Sequence, residues 1–233
     1  MQTILDFLDI FRHLDKHLGD LIASHGAWVY AIAAGIIFAE TGLVLLPFLP
    51  GDSLLFALGA FTSSDGEATR LNLWVLLGTL TVAAILGDAV NYHIGKYVGP
   101  RIFRAEGTGF WAKVLSRKHL DRAHEFYEKY GGKAVVLARF VPIVRTFVPF
   151  VAGAGAMNYG KFVFYNIIGA VAWVFGCVIA GHFFGNIPWV KKNFEIVVLG
   201  IIIVSILPIV FEFISARRSS AKASLVSVPD PTK

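Results

Sequence analysis

The chain has 233 residues, 56% of them hydrophobic and 16% charged, with a mean hydropathy of +0.65. A soluble domain carries about 25% charged residues, so the deficit argues against a water-facing surface and for lipid around much of the molecule. Between Lys96 and Lys133 nine basic residues stand against four acids, which accounts for the whole formal excess of +5. Such a loop marks the cytoplasmic side of a membrane protein and points away from a nucleic-acid partner.

In chain order, Ile4, Phe7, Leu8, Phe11, Leu14, Leu18 and Leu21 recur at helical spacing with acids, His13, Lys16 and His17 between them. Residues 1–22 are therefore expected to form an amphipathic helix at the membrane interface. A helix packed on the protein's own surface would give the same pattern. Asp6, Asp9, Asp15 and Asp20 interrupt the region where a cleavable signal would carry a basic and then an apolar stretch, so insertion is expected through the first hydrophobic segments.

From Ala27 to Leu46 the chain is apolar except for Glu40, and Pro47-Phe48-Leu49-Pro50-Gly51-Asp52 follows. Proline lacks the N–H and clashes with the preceding turn, so a helix cannot run through this stretch. The apolar run resumes only from Leu54 to Phe61, too short to cross a bilayer at about 1.5 Å per residue. The economical reading is a re-entrant hairpin over about 27–62, turning at Pro50-Gly51, with Asp52 or Ser53 capping the returning half-helix.

Leu71–Val98 is expected to be a full span with Asp88 inside it, Asn91, Tyr92 and His93 being near enough to satisfy that carboxylate. The basic loop (about 99–133) should carry a short amphipathic helix ended by Gly131-Gly132. Ala134–Met157 repeats the earlier anomaly, its apolar run interrupted by Arg139, Pro142, Arg145 and Pro149; a second hairpin is expected over about 134–157. Phe162–Phe184 is a full span, since no Asp, Glu, Lys or Arg occurs from Phe162 to Val190 and about 20 apolar residues suffice. A last span is expected over Ile196–Phe211, kinked at Pro208.

Residues 217–233 read as a disordered basic cytoplasmic tail, and residues 1–216 as one polytopic membrane domain. Lys191-Lys192 fall on the outer side in this topology, a mild violation of the charge rule. The fold class is thus an all-α membrane protein. Two opposed re-entrant helical hairpins and about three full transmembrane helices stand in an inverted-repeat arrangement, with an amphipathic N-terminal helix. Such repeats bring paired discontinuous helices together near the midplane, where they build a binding site.

A charge at the bilayer centre costs about 2.5–3.5 kcal/mol, so Glu40, Asp52, Arg139 and Arg145 facing lipid would cost on the order of 10 kcal/mol together, comparable to a domain's whole stability. They must face each other, a cavity or a ligand. Paired only with each other, they would be a structural clasp. Read functionally, the arginine forks suit bidentate phosphate recognition, and carboxylates in a low-dielectric site can take up and release protons. Arg139 and Arg145 are therefore the candidate phosphate-binding residues, Glu40 and Asp52 the candidate proton-coupling residues, and Asp88 a secondary candidate. Pro47, Pro50, Gly51, Pro142 and Pro149 are the expected hairpin breaks. His93 and His182 read as structural, and the five tryptophans, Trp173 among them, as belt or packing residues. No metal-ligand spacing, cofactor motif or nucleophile–base pair stands out, so an enzyme is not expected.

Glu40 followed by Pro47-Phe48-Leu49-Pro50-Gly51-Asp52-Ser53, and Arg139-Phe140-Val141-Pro142-Ile143-Val144-Arg145 followed by Ala152-Gly153, resemble the two signatures of the DedA family, whose eukaryotic relatives are the VTT-domain scramblases. Gly87-Asp88-Ala89-Val90-Asn91-Tyr92 and Phe126-Tyr127-Glu128-Lys129-Tyr130-Gly131-Gly132-Lys133 fit the same family, and the likeness runs from about Leu5 to Arg218. The resemblance implies a bacterial inner-membrane protein with two opposed hairpins, whose functional acids map to Glu40 and Asp52 and arginines to Arg139 and Arg145. It implies membrane lipids as partners, undecaprenyl phosphate first, flipped with proton coupling to recycle the cell-envelope lipid carrier. Family members tied to proton-motive-force homeostasis make a proton-coupled ion transporter the alternative, with a phospholipid scramblase as another. The oligomeric state is left open, a homo-oligomer included.

Overall fold

A computed structural model describes residues 14–43, 51–63, 70–104, 128, 130–155, 157–194, 196–201 and 203. Their elements are helices: α1 (Leu14–His25), α2 (Trp28–Gly42), α3 (Gly51–Phe61), α4 (Leu73–Arg104), α5 (Lys133–Ala138), α6 (Pro142–Ala154), α7 (Tyr159–Phe184) and α8 (Pro188–Lys192). The turn holding Pro47 and Pro50, most of the basic loop, Pro208 and the tail lie outside the described residues.

Among the described residues two helices are long and apolar enough to cross a membrane, Leu73–Gly99 within α4 and Tyr159–Phe184. Each begins on a side-chain cap. The Asn72 carboxamide oxygen accepts from the Trp74 and Val75 N–H groups at 3.0 and 3.2 Å, and the Asn158 oxygen accepts from Lys161 N at 3.2 Å. A third span is available if α1 and α2 are counted together, but the chain bends by 119° between them. Gly26 takes the left-handed φ of +51° at that corner, a conformation glycine adopts without the usual Cβ clash. The expected last span is described only as helix at 196–201 and 203.

The first interrupted segment is two helices that part company. α2 packs along α4, whereas α3 packs along α7, and α2 and α3 touch each other little. Helix α3 starts at Gly51, so Asp52 lies in its first turn instead of at the cap position. The second interrupted segment breaks at Arg139–Val141, with α5 on α7, α6 on α4 and Pro142 opening α6. Pro149 was expected to break this segment; instead α6 runs straight through it. One missing N–H costs one ladder bond, and the tight seating of α6 on α4 holds the remaining turns in register.

That seating depends on glycine. A side chain at Gly95 would strike the Phe150 carbonyl, one at Gly99 would strike Ala154, and one at Gly153 would strike the Tyr92 carbonyl. The seat of α3 on α7 repeats this pattern position for position. Gly181 faces the Phe56 carbonyl, Gly185 faces Ala60, and Gly59 faces the Val178 carbonyl. The shared pattern is Phe-x-x-Gly-Ala on the short helix against Gly-x-x-x-Gly on the long one. Small residues of this kind let membrane helices approach backbone to backbone.

The helix ends gather in two groups. At one, the Tyr30 hydroxyl accepts from Asn72 N at 2.7 Å, Leu71 N donates to Phe61 O at 3.1 Å, and Thr62 Oγ1 lies 2.6 Å from His182 Nδ1. At the other, the Tyr92 hydroxyl donates to Met157 O and Gly132 abuts the Tyr165 ring. Gly131 takes a left-handed φ of +55° just before α5, while the short amphipathic helix expected ahead of it lies almost wholly outside the described residues. Among the described residues three apolar clusters are buried, one around Leu55, Leu80 and Val174, a second around Tyr92, Phe150 and Phe162, and a small third of Ala57, Ala60, Phe194 and Val198. Asp88 lies between Ala84 of the first and Tyr92 of the second.

Candidate functional site

The breaks in the two interrupted segments bring their charges to this junction. Glu40 ends α2 fully buried, and its carboxylate lies against Gly51, where any side chain would collide with it. Glycine at 51 thus allows the acid ending α2 to meet the first turn of α3, the positive end of that helix. Arg145, on the first turns of α6, hydrogen-bonds the Glu40 carboxylate and donates to Asp52 Oδ1 at 3.2 Å. Asp52 Oδ1 also accepts from Trp173 Nε1 at 2.7 Å.

Arg139 sits at the break between α5 and α6, but its partners are different. It donates to Asp88 Oδ2 and Asn166 Oδ1, each at 2.6 Å, and Gly169 leaves the room its side chain fills. Asn166 in turn donates to Ile85 O at 3.1 Å. Both arginines lie near the Trp173 ring, their guanidinium carbons 5.8 Å (Arg139) and 5.4 Å (Arg145) from its centroid, within cation–π range. Asn91 donates to Thr41 O at 3.1 Å and Thr146 O at 2.8 Å, tying α2 and α6 across α4.

The four expected charges therefore do not form one set. Glu40, Asp52 and Arg145 converge, whereas Arg139 is taken by Asp88. Asp88 is not satisfied by Asn91, Tyr92 or His93 as expected, because those side chains bond Thr41 and Thr146, Met157, and Ala89 respectively. The two groups differ in access. The Asp52 side chain is 23% exposed and Arg145 10%, while Arg139 and Asp88 are each 4% exposed. Arg145 with Asp52 is the open face of the site; Arg139 with Asp88 is a closed clasp.

Two features follow for the chemistry. Three carboxylates share two guanidiniums, so with every group ionised one negative charge is unmatched. A proton, a cation or a rearrangement must complete the balance, because an uncompensated buried charge is costly. Hydrogen-bonding capacity is also spare: Glu40 Oε2, Asn91 Oδ1 and Arg139 Nε find no partner among the described residues. Among those residues no three His, Cys, Asp or Glu side chains converge to hold a metal.

Trp173 and Asn166 escaped the sequence reading, and depth along the helix was the signal for both. Trp173 lies well inside α7 and is 3% exposed, far from the interfaces where aromatic belts sit. Asn166 is a strongly polar side chain within a span free of charge, a position that usually faces the bundle interior.

A VTT-domain family model matches residues 49–183, which include both short helices, both long ones and most of the site. The chain is 50% identical over 224 residues to the protein DedA of Escherichia coli K12, covering 96% of this chain and all of that one. It is 40% identical over 213 residues to an uncharacterized membrane protein of Mycobacterium tuberculosis, with 90% of each chain covered. It is 32% identical over 160 residues to the inner membrane protein YqjA of E. coli K12, with 69% of each covered. No solved structure matches the chain.

Proposed function

The chain belongs to the DedA family of VTT-domain proteins and is a multi-pass protein of the bacterial inner membrane, and from that premise we propose that it is a proton-coupled lipid flippase for undecaprenyl phosphate. The observation that carries this reading is the Arg145 fork, held by two carboxylates at the meeting point of α2, α3 and α6 and open on the Asp52 side. A phosphate offers the same two-oxygen face as a carboxylate, with more charge. It competes with Glu40 and Asp52 for Arg145. Protonating those acids removes the competitor, so lipid phosphate and protons enter the site together. The lipid leaves chemically unchanged, its tail remaining in the bilayer while only the headgroup crosses within the protein. Arg139 supports from behind, where its charge reaches the headgroup without leaving Asp88.

The proposal includes re-entrant hairpins in an inverted repeat. The matched seats support it: each half's second arm rests on the other half's long helix through the same glycine pattern. The two groups of helix ends support it as well, since α2 starts and α3 ends beside one end of α4 and α7, and α5 starts and α6 ends beside the other. A site reached by arms from both sides can be opened to either side by rocking one half against the other.

Purified protein in vesicles with undecaprenyl phosphate in one leaflet tests the reading. Wild type should equilibrate the lipid, faster with a proton gradient. Arg145→Ala should abolish exchange, and Arg145→Lys, which keeps the charge but not the fork, should restore part of it. Full exchange by Arg145→Ala overturns the assignment. The unmatched carboxylate favours a second reading, a proton-coupled ion transporter; gradient-driven ion flux in vesicles free of lipid phosphate would select it.

A further inference from the structure

We propose that Trp173 is the positioning residue for the proton-carrying carboxylate of this site, and that its indole N–H keeps Asp52 in place when Arg145 turns to the lipid phosphate. The inference rests on the transport reading above but concerns a side chain outside both family signatures. Asp52 is the most exposed of the three acids, and its Oδ1 accepts from both Arg145 Nη1 and Trp173 Nε1. An anion that captures Arg145 takes away the first. The second remains, and holds that carboxylate oxygen in place at the start of α3 for the next proton.

The indole suits the task. It donates but cannot accept, so it holds a carboxylate oxygen without competing for the arginine. Its ring also lies within cation–π reach of both guanidiniums, and fixes Arg145 on the side facing Asp52. The ionisable groups around Asp52 are Arg145 from α6, Glu40 from α2, and the Cys177 thiol one turn along α7 from Trp173. Arg139, 5.8 Å from the same ring centroid, and its partner Asp88 complete the charged set.

Trp173→Phe keeps a ring under the arginines and removes the donor. In the vesicle assay its exchange rate should fall about tenfold, the loss of one hydrogen bond to a charged group. Its dependence on pH should shift away from that of wild type, while the lipid concentration for half-maximal rate stays unchanged. A residue that only filled space would lower the rate at every pH alike. Trp173→Leu should lose affinity for the lipid as well. A Trp173→Phe protein that elutes and melts as wild type and transports with the wild-type pH profile overturns the proposal.

A second measurement does not depend on transport. The emission of Trp173, taken as wild type minus Trp173→Phe, should change with pH, and Asp52→Asn should abolish that change. Emission indifferent to pH overturns the contact. Wild-type protein that moves no lipid overturns the transport reading instead, and the emission still decides whether Trp173 follows Asp52.

Discussion

Arg139 and Arg145 lie six positions apart in the chain, yet their surroundings give them different work. Arg139 is matched to Asp88 at 2.6 Å with both side chains 4% exposed. Truncating one member of such a pair leaves the other charge stranded, at a cost of about 3–5 kcal/mol. Arg139→Ala should therefore lose roughly that much stability, read as a large drop in melting temperature in detergent. Asp88→Leu combined with Arg139→Met should recover most of it, since a packed apolar pair has no charge to strand. Arg145→Ala should cost less, about 1–2 kcal/mol, because Asp52 can be hydrated and buried Glu40, a proton-coupling acid of the proposal, can take up a proton instead of standing as a bare charge. Its loss should show in transport first. Equal melting losses for the two single variants would contradict the division. All four charges flagged in the sequence lie in this region because insertion cost forces them inward. Who pairs with whom was not legible, because the choice between Asp88 and Asp52 for Arg139 depends on how far apart α4 and α3 stand, a tertiary distance.

For the helices, a separation between Gly42 and Gly51 and a break before Pro142 were legible as interruptions of the apolar runs, and the run lengths gave both long spans. Pro149 misled because a proline is judged locally, whereas α6 is held from outside by Gly95, Gly99 and Gly153. The partners of the short helices were also hidden. Each packs on a long helix from the other half of the chain, and the arms repeat at one sequence separation while the long helices repeat at another, so no single offset aligns the halves. The glycine seats make a sharp contrast testable. Gly95→Val and Gly181→Val drive a branched side chain into backbone, which cannot yield as a side chain tip can. Each should destabilise by about 1–3 kcal/mol or more, and the two losses should be similar because the seats match. Gly35 and Gly78 sit inside helices with nothing within 4 Å of an added Cβ. Gly35→Ala should be neutral or stabilising by up to about 1 kcal/mol, through a better helix former. Melting of the three variants side by side checks both halves of the statement.

The whole molecule has two chemically distinct ends. Lys96, Lys133 and Lys161 are exposed where α4 leaves and α5 and α7 begin, next to the basic loop. Ser24 and Lys192 are exposed at the opposite end, with Trp28, Trp74 and Trp189. By the charge rule the basic loop should lie in the cytoplasm, which would set α1, whose side the sequence left undecided, on the periplasmic face. Single cysteines in a Cys177→Ser background test the assignment. A membrane-impermeant maleimide added to intact cells should label Ser24→Cys and Lys192→Cys, and should reach Lys133→Cys and Lys161→Cys only after the membrane is opened. The reverse pattern would invert the protein without altering the site. Labelling of Lys133→Cys and Lys192→Cys from the same side would mean that α5 enters from the periplasm. The second arm would then not approach from the cytoplasm, and Arg145 and Glu40 could not meet from opposite faces. That outcome removes the physical basis for alternating access, because a site reached from one side alone has no second gate to open.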